Sequence, residues 1–167
     1  NAGIGAASHL CGMLFMQAVE APIVTVPYKG TGPAMTELLG GQIDIMCDQT
    51  TNTTKQIQGG TIKAYAVTSP ARLEIFPDLP TVGEGGFAGM EVSVWHGLYA
   101  PKGTPADVQA AIVDNIKKAG LTDEAKLAWA NNGAEFGNLT PVQYGAFVSA
   151  EVKRWAAVVK NSGAKLD

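Results

Sequence analysis

The sequence predicts an α/β fold in which a mainly parallel sheet is flanked by helices. Helical and strand patterns alternate through short loops over residues 8–68, and parallel strands need a helical crossover between them. Gly (20 residues) and Pro (9 residues) are frequent, which is typical of many short connections. The chain is 46% hydrophobic and 16% charged, so it has enough apolar surface to form a core.

The first part of the chain alternates helix and strand three times. Apolar residues at helical spacing from Leu10 to Ala18 predict a helix, capped by Ser8 or a residue just before it and ended by Pro22. After it, β-branched runs favour strands, and short runs closed by Gly pairs favour helices. The predicted strands cover 23–26, 43–47 and 62–68, and the predicted helices cover 34–39 and 53–58.

The pattern changes in the second part of the chain. Pro and Gly residues over 69–89 predict a long surface connection with one helical turn at 82–84. Residues 90–100 predict a strand long enough to leave one lobe and enter another. Three helices complete the chain, and each begins beside a threonine or a proline. They run from Pro105, with Thr104 as cap, to about Ala119, from the cap Thr122 to near Gly133, and from Thr140-Pro141 to Gly163.

Charge and hydropathy exclude several classes of function. Lys and Arg number 12, Asp and Glu number 15, and the net charge of −3 carries no run of like charges. We therefore expect no nucleic-acid partner, and any bound anion must be held locally. The apolar stretches 10–19 and 92–100 are too short for a membrane helix. The chain starts at Asn1 without Met or a leader, so we expect a fragment or a processed product.

The side chains that bind metals are sparse. Only His9 and His96 are available as imidazole ligands, and neither has a carboxylate at helical spacing. The two cysteines, Cys11 and Cys47, lack metal spacing and are expected to be free, buried thiols. We therefore expect no metal and no cofactor.

Four ordered segments and the tail at 155–165 carry a resemblance to a known family. The segments include Ala2-Gly-Ile-Gly-Ala-Ala-Ser-His-Leu10, Tyr28-Lys-Gly-Thr-Gly-Pro33, Phe76-Pro-Asp-Leu-Pro-Thr-Val-Gly-Glu84 and Trp95-His-Gly-Leu-Tyr-Ala-Pro-Lys-Gly-Thr-Pro105. Together they resemble the extracytoplasmic solute receptors of tripartite tricarboxylate transporters, also called Bug-type receptors. The resemblance extends over essentially the whole chain and covers part of the family's length.

The resemblance implies a periplasmic-binding-protein-like fold of type II, with a cleft between two α/β lobes. Residues 1–94 would form the second lobe. Residues 95–167 would form a hinge strand and C-terminal helices that return to the first lobe, whose N-terminal portion is absent. The implied function is capture of a small carboxylate, a di- or tricarboxylate or related organic acid, in the periplasm. Its partners would be the membrane components of the transporter, without catalysis, and self-association through the uncovered apolar area is a further expectation.

The candidate ligand-binding residues lie where the strands end and the helices begin, because ligands of open α/β sheets bind at that edge. Small residues before Ser8 would let a carboxylate reach unpaired N–H groups. An ordinary capped helix, a surface lysine and a capping aspartate are the structural alternatives for the three loops. The candidates are Gly5, Ala6, Ala7, Ser8, His9, Tyr28, Lys29, Gly30, Asp48, Gln49 and Thr50.

An enzymatic alternative remains open from the sequence. A small α/β hydrolase or transferase could use Ser8 or Lys29 as its reactive group. Against it, no Gly-x-Ser-x-Gly elbow surrounds Ser8, and adjacent Ser8 and His9 would point in different directions. The loop around Lys29 also lacks the spacing of a nucleotide-binding P-loop.

Overall fold

A computed structural model of the chain describes residues 1–87, 89–137 and 139–162, with side chains up to residue 160. Six α-helices account for the regular structure of these residues. The predicted end of the last helix at Gly163 and the tail beyond it lie outside the described residues. The helices are α1 (Ala7–Val19), α2 (Thr31–Leu39), α3 (Thr50–Gln58), α4 (Ala106–Gly120), α5 (Asp123–Ala130) and α6 (Pro141–Ser162).

The second and third helices begin earlier than the sequence predicted. Helix α2 begins at Thr31 and therefore includes Pro33, which is tolerated in a first turn because its missing N–H has no intrahelical partner there. Helix α3 begins at Thr50, and the hydroxyls of Thr53 and Thr54 donate to the carbonyls of Gln49 and Thr50. Apolar periodicity marks only the part of a helix that packs, so it misses such polar first turns.

The caps divide into confirmed and corrected predictions. Thr122 caps α5, since its Oγ1 accepts from the N–H of Ala125 at 3.2 Å. Thr104 does not cap α4: its hydroxyl donates to the Pro101 carbonyl at 2.8 Å, and Pro105 occupies the cap position. Ser8 does not cap α1 either, because it lies inside the helix and accepts from the N–H of Ala2 at 2.8 Å. The N-cap position falls on Ala6, one of the residues just before Ser8, without a side-chain bond.

The strand predictions differ from the structure. The four segments predicted as strands, 23–26, 43–47, 62–68 and 90–100, form no regular ladder within the described ranges, and Ile43, Asp44 and Ile62 lie in bends. The one bridge outside regular strands there is parallel and joins Val67 to Thr81. Local sequence favours an extended backbone through β-branched residues, whereas a ladder also requires a partner strand at hydrogen-bonding distance.

Short backbone pairings nevertheless join residues 67–68 to two other segments. Val67 N–H donates to the Pro80 carbonyl, and Val82 N–H donates to the Val67 carbonyl, both at 2.9 Å. Val92 N–H donates to the Thr68 carbonyl, and the Thr68 hydroxyl returns a bond to the Val92 carbonyl at 2.7 Å. The segment at 67–68 therefore lies between residues 80–82 and residue 92.

The connection at 69–87 is fixed by an ion pair that the sequence analysis did not identify. The Arg72 guanidinium contacts both oxygens of the Glu84 carboxylate at 2.9–3.0 Å. Glu84 also accepts from the N–H of Thr81, whose hydroxyl accepts from the N–H of Glu84. This reciprocal arrangement is a capping box, and it organises the predicted turn at 82–84.

The buried side chains concentrate in the first part of the chain. Cys11, Ala34, Met35, Val67 and Val92 are among the core residues, each no more than 8% exposed. Helices α1 and α6 contact one another, and α4 contacts α5. Within the described ranges, no helix combines the length and the apolar character that crossing a membrane requires.

Candidate functional site

The residues that precede α1 lie along the residues that precede α2. The N–H of Asn1 donates to the Val26 carbonyl at 2.8 Å, and the N–H of Tyr28 donates to the Asn1 carbonyl at 2.9 Å. The N–H of Gly30 then donates to the Ala2 carbonyl at 3.1 Å. These bonds place the residues that lead into α1 beside the residues that lead into α2.

Asp48 joins the start of α2 to the start of α3. Its Oδ1 accepts from the Gln49 N–H at 2.7 Å, from the Asn52 amide at 3.1 Å and from the Thr31 hydroxyl at 3.4 Å. Its Oδ2 is buried and has no hydrogen-bond partner among the described residues. The bond to the Gln49 N–H is not a helix cap, because Gln49 is itself the N-cap residue of α3 and α3 has no side-chain cap. The capping role considered for this aspartate is therefore not observed.

The N-terminus of α1 presents backbone donors without a competing acidic side chain. Ala6 is the N-cap residue and makes no side-chain cap, and the first turn contains no acidic residue. Within the described part of the chain, the N–H groups of Ala7 and Ser8 have no acceptor. The helix dipole concentrates partial positive charge on such groups, so they are suited to bind an anion.

His9 is an acceptor in the structure. Its Nδ1 accepts from the N–H of Gly5 at 3.2 Å, which places the ring proton of the neutral imidazole on Nε2. The ring is only 8% exposed, and Nε2 has no partner among the described residues. The prediction that His9 donates at the cleft thus concerns Nε2 alone and stays a prediction.

Two predicted residues stand apart from the others. The Thr50 hydroxyl donates to the carbonyl of Gly133 at 3.1 Å, so it faces the segment after α5. Lys29 is exposed and has no ion pair within the described ranges. Tyr28, Gly30 and Gln49 are partly buried beside the converging loops. The structure therefore brings together the starts of α1, α2 and α3, with Thr50 turned away and Lys29 at the surface.

The same geometry bears on the enzymatic alternative. Ser8 Oγ accepts from Ala2, His9 Nδ1 accepts from Gly5, and Asp48 Oδ1 accepts from Gln49. Within the described part of the chain these three side chains make no hydrogen bonds to each other, whereas a catalytic triad requires them. Among the described residues, no group of three His, Cys, Asp or Glu side chains is arranged to hold a metal.

The residues that hold the three helix starts together were not predicted from the sequence. Asn1 and Ala2 supply the pairing with the second loop, and Thr31 and Asn52 supply the contacts of Asp48. The short polar side chains of Thr31 and Asn52 are typical of residues that form local hydrogen bonds. The pairing of residues 1–2 with 26–30 had no local signal, because it joins segments 25 positions apart in the chain.

Comparison with known proteins assigns the chain to a family. A family model described as "Tripartite tricarboxylate transporter family receptor" matches residues 1–164. The chain belongs to this family, which confirms the resemblance found in the sequence.

Two curated relatives illustrate the match. One, from Agrobacterium vitis, is a UPF0065 protein in the TAR-I ttuE-ttuC' intergenic region, 46% identical over 98% of this chain and 48% of its own length. The other, BugT from Bordetella pertussis, is 35% identical over 98% of this chain and 50% of its own length. The chain therefore spans about half the length of these relatives.

Solved structures confirm the fold class. The periplasmic binding protein BugD matches 99% of this chain and 56% of its own, with a TM-score of 0.89 and 47% identity. Rpa4515 of R. palustris, solved with adipate, covers 96% of this chain and 54% of its own, with a TM-score of 0.88 and 30% identity. MatC from Rhodopseudomonas palustris, solved with bound malate, covers 93% of this chain and 54% of its own, with a TM-score of 0.84 and 33% identity.

Proposed function

We propose that this chain is the ligand-binding part of a periplasmic receptor that captures a small di- or tricarboxylate, or a related organic acid. The receptor would deliver its ligand to the membrane components of a tripartite tricarboxylate transporter, without catalysis. The observation that carries the proposal is the convergence of three helix starts, each without an acidic residue in its first turn. The adipate and malate in two structural relatives support the same ligand chemistry.

Backbone donors suit this ligand because the chain as a whole is acidic. With a net charge of −3, the molecule offers no general attraction to a carboxylate. The N–H groups of Ala7 and Ser8 lie at the positive end of the α1 dipole and can each donate to a carboxylate oxygen. Small side chains at Gly5 and Ala6 leave the approach open, and the exposed Lys29 adds positive charge nearby.

The division into lobes is part of the same proposal. Residues 1–94 would form one lobe, and residues 95–167 would supply the hinge strand and the helices that belong to the other. The clustering of buried side chains before residue 94 supports a separate core for the first unit. Because the relatives are about twice as long, the chain would supply one wall of a two-lobed cleft.

The test is an NMR titration of the folded chain with malate and with adipate, followed through backbone amide shifts. We expect saturable shift changes at Ala7, Ser8 and Gly30, and none of comparable size in α4. The neutral diamide of succinic acid serves as the control ligand and should leave these amides unmoved. Shifts that never saturate, or that cluster in the C-terminal helices, would contradict the proposal.

A matched pair of variants tests the role of the helix start. Ala6→Asp places a carboxylate at the cap of α1, where it accepts from the first-turn N–H groups that the ligand would use. We expect an increase of about 0.5–1 kcal/mol in the free energy of unfolding and at least a tenfold loss of malate affinity. Ala106→Asp adds the same charge at the start of α4 and should keep wild-type affinity. Equal losses in both variants would show a general charge effect instead.

A further inference from the structure

Two glycines shape the loop that leads into α1. Gly3 has a φ of 134° and Gly5 a φ of 80°, both in the left-handed region that favours glycine. The N–H of Gly3 donates to Asn1 Oδ1 at 3.0 Å, and the N–H of Ala6 donates to the Gly3 carbonyl at 3.2 Å. Because glycine loses more backbone freedom on folding than any other residue, further contacts are needed to hold this loop in one conformation.

Two adjacent side chains of α1 supply such contacts. Ser8 Oγ accepts from the N–H of Ala2 at 2.8 Å, and His9 Nδ1 accepts from the N–H of Gly5 at 3.2 Å. Ser8 and His9 are each only 8% exposed, so both side chains lie largely away from water. Both acceptors therefore bond to the loop instead of capping the N–H groups of their own helix.

The bond to His9 fixes the backbone just before the open donors of α1. The N–H groups of Gly5 and Ala6 have acceptors within the chain, whereas those of Ala7 and Ser8 have none among the described residues. Gly5 directly precedes Ala6, the N-cap residue of the helix. The bond to Nδ1 also places the ring proton on Nε2, and this buried side chain has no partner for Nε2 in the described part of the chain.

We propose that His9 is a positioning residue for carboxylate binding, which acts by holding Gly5 through Nδ1 and so keeps the N–H groups of Ala7 and Ser8 in place for the ligand. A loop that is already ordered loses little further conformational entropy when the ligand binds, so the affinity is higher. The inference rests on the proposed function. It gives His9 a role different from the expected one, donation to the ligand.

The wild-type chain is tested first, by NMR with 15N in the backbone and in the imidazole rings. We expect a scalar coupling across the hydrogen bond between the Gly5 nitrogen and His9 Nδ1, and imidazole shifts of the Nε2–H tautomer. The Gly5 amide should be protected from hydrogen exchange before any malate is added. A ring proton on Nδ1, or a Gly5 amide that exchanges as freely as in an unfolded peptide, would overturn the proposal.

Three variants separate support of the loop from direct donation to the ligand. His9→Asn keeps an acceptor near the position of Nδ1, His9→Gln keeps a donor near the position of Nε2, and His9→Leu keeps neither. We expect His9→Leu and His9→Gln to bind malate about fivefold more weakly, which corresponds to the loss of one neutral hydrogen bond. Their Gly5 amide should exchange about tenfold faster. His9→Asn should restore both the affinity and the protection.

His96→Gln is the matched control, because it changes the other histidine, which is exposed and lies outside α1. It should keep wild-type affinity for malate. Far-UV circular dichroism establishes that the variants are folded, and if His9→Leu is not, the comparison of His9→Asn with His9→Gln decides. Wild-type affinity in His9→Leu, or recovery by His9→Gln and not by His9→Asn, would overturn this proposal and leave the proposed function intact. A wild-type chain that binds neither malate nor adipate would overturn both, even with the Gly5 coupling present.

Discussion

Helices before and after residue 95 begin in different ways. Helices α1, α2 and α3 start without a side-chain cap and without an acidic residue in the first turn. In contrast, α4 has Asp107 in its first turn, α5 has a Thr122 cap with two acidic residues, and α6 has a reciprocal Thr140 and Gln143 pair. Local stability favours the second kind of start. Helix stability therefore does not explain the uncapped starts of α1, α2 and α3. The place where the three starts meet explains them better.

Burial differs between the same two regions. Before residue 95 lie the buried apolar side chains, among them Ala34, Met35 and Val67. Among the described residues after it, no apolar side chain is buried, whereas exposed large apolar side chains occur in both regions, such as Val24 at 87% and Val142 at 84%. The C-terminal region relies instead on aromatic contacts around Trp95 and Tyr144, whose ring centroids lie 5.9 Å apart. The four predictions below test this comparison.

The largest effect is expected where the C-terminal aromatic contacts approach a glycine. A Cβ at Gly97 would overlap the hydroxyl of Tyr144, which is hydrogen-bonded to Tyr99 at 2.8 Å. We expect Gly97→Ala to lower the free energy of unfolding by about 1–3 kcal/mol, because the ring must move. Burial, and then the bond to Tyr99, raise the pKa of Tyr144 to about 12. An alkaline ultraviolet titration should show that pKa fall in the variant.

Gly137→Ala is the control for this substitution, since nothing lies within 4 Å of a Cβ at that position. Its unfolding free energy and its tyrosine titration should match those of the wild type. A wild-type titration of Tyr144 in the Gly97→Ala variant would mean that the aromatic contacts do not depend on this glycine.

The second effect concerns the bond between the predicted hinge strand and α6. Glu151 accepts from the indole N–H of Trp95 at 3.3 Å and from that of Trp155 at 3.0 Å. The bond to Trp155 is the main cause that lowers the pKa of Glu151. We expect Glu151→Ala to cost about 1–2 kcal/mol of unfolding free energy and to change tryptophan emission. Glu135→Ala, a change at an exposed residue, should alter neither property.

The third prediction compares one open glycine in each region. Gly12 in α1 and Gly145 in α6 both have open space where a Cβ would lie. Each change to alanine should raise the free energy of unfolding by about 0.5–1 kcal/mol, because glycine loses more backbone entropy in a helix. Chemical denaturation measures both values. A gain at Gly145 with none at Gly12 would show that α1 is limited by its uncapped start.

The smallest effect concerns acid stability of the connection at 69–87. Bonds from Arg72 and then from the Thr81 backbone lower the pKa of Glu84 to about 2 from its ordinary 4.5. Since the folded pKa is the lower one, Glu84 stabilises the fold above pH 4.5, and this contribution disappears as the pH falls toward 2. Glu84→Gln should therefore flatten the pH dependence of stability in that range. Because the pair is exposed, the difference should shrink with added salt, and identical wild-type and variant curves would exclude the ion pair as a contributor.

The sequence was informative wherever a structure depends on near neighbours. All six helices were predicted, and the Thr122 cap was confirmed, because helix spacing and capping act within a few residues. The predicted Thr104 cap was wrong, because the Thr104 hydroxyl donates instead to the carbonyl of Pro101, which is equally close in sequence. The ordered segments also identified the family, which the match over residues 1–164 confirms.

By itself, the sequence determined the presence of the helices and placed the candidate ligand-binding residues at helix starts. Only the tertiary structure decided which extended segments pair, and it joined Val67 to Thr81 instead of forming the four predicted strands into a ladder. It also turned Thr50 toward Gly133. The physical reason is that backbone preference is local, whereas pairing, side-chain partners and burial depend on segments that are distant in the chain.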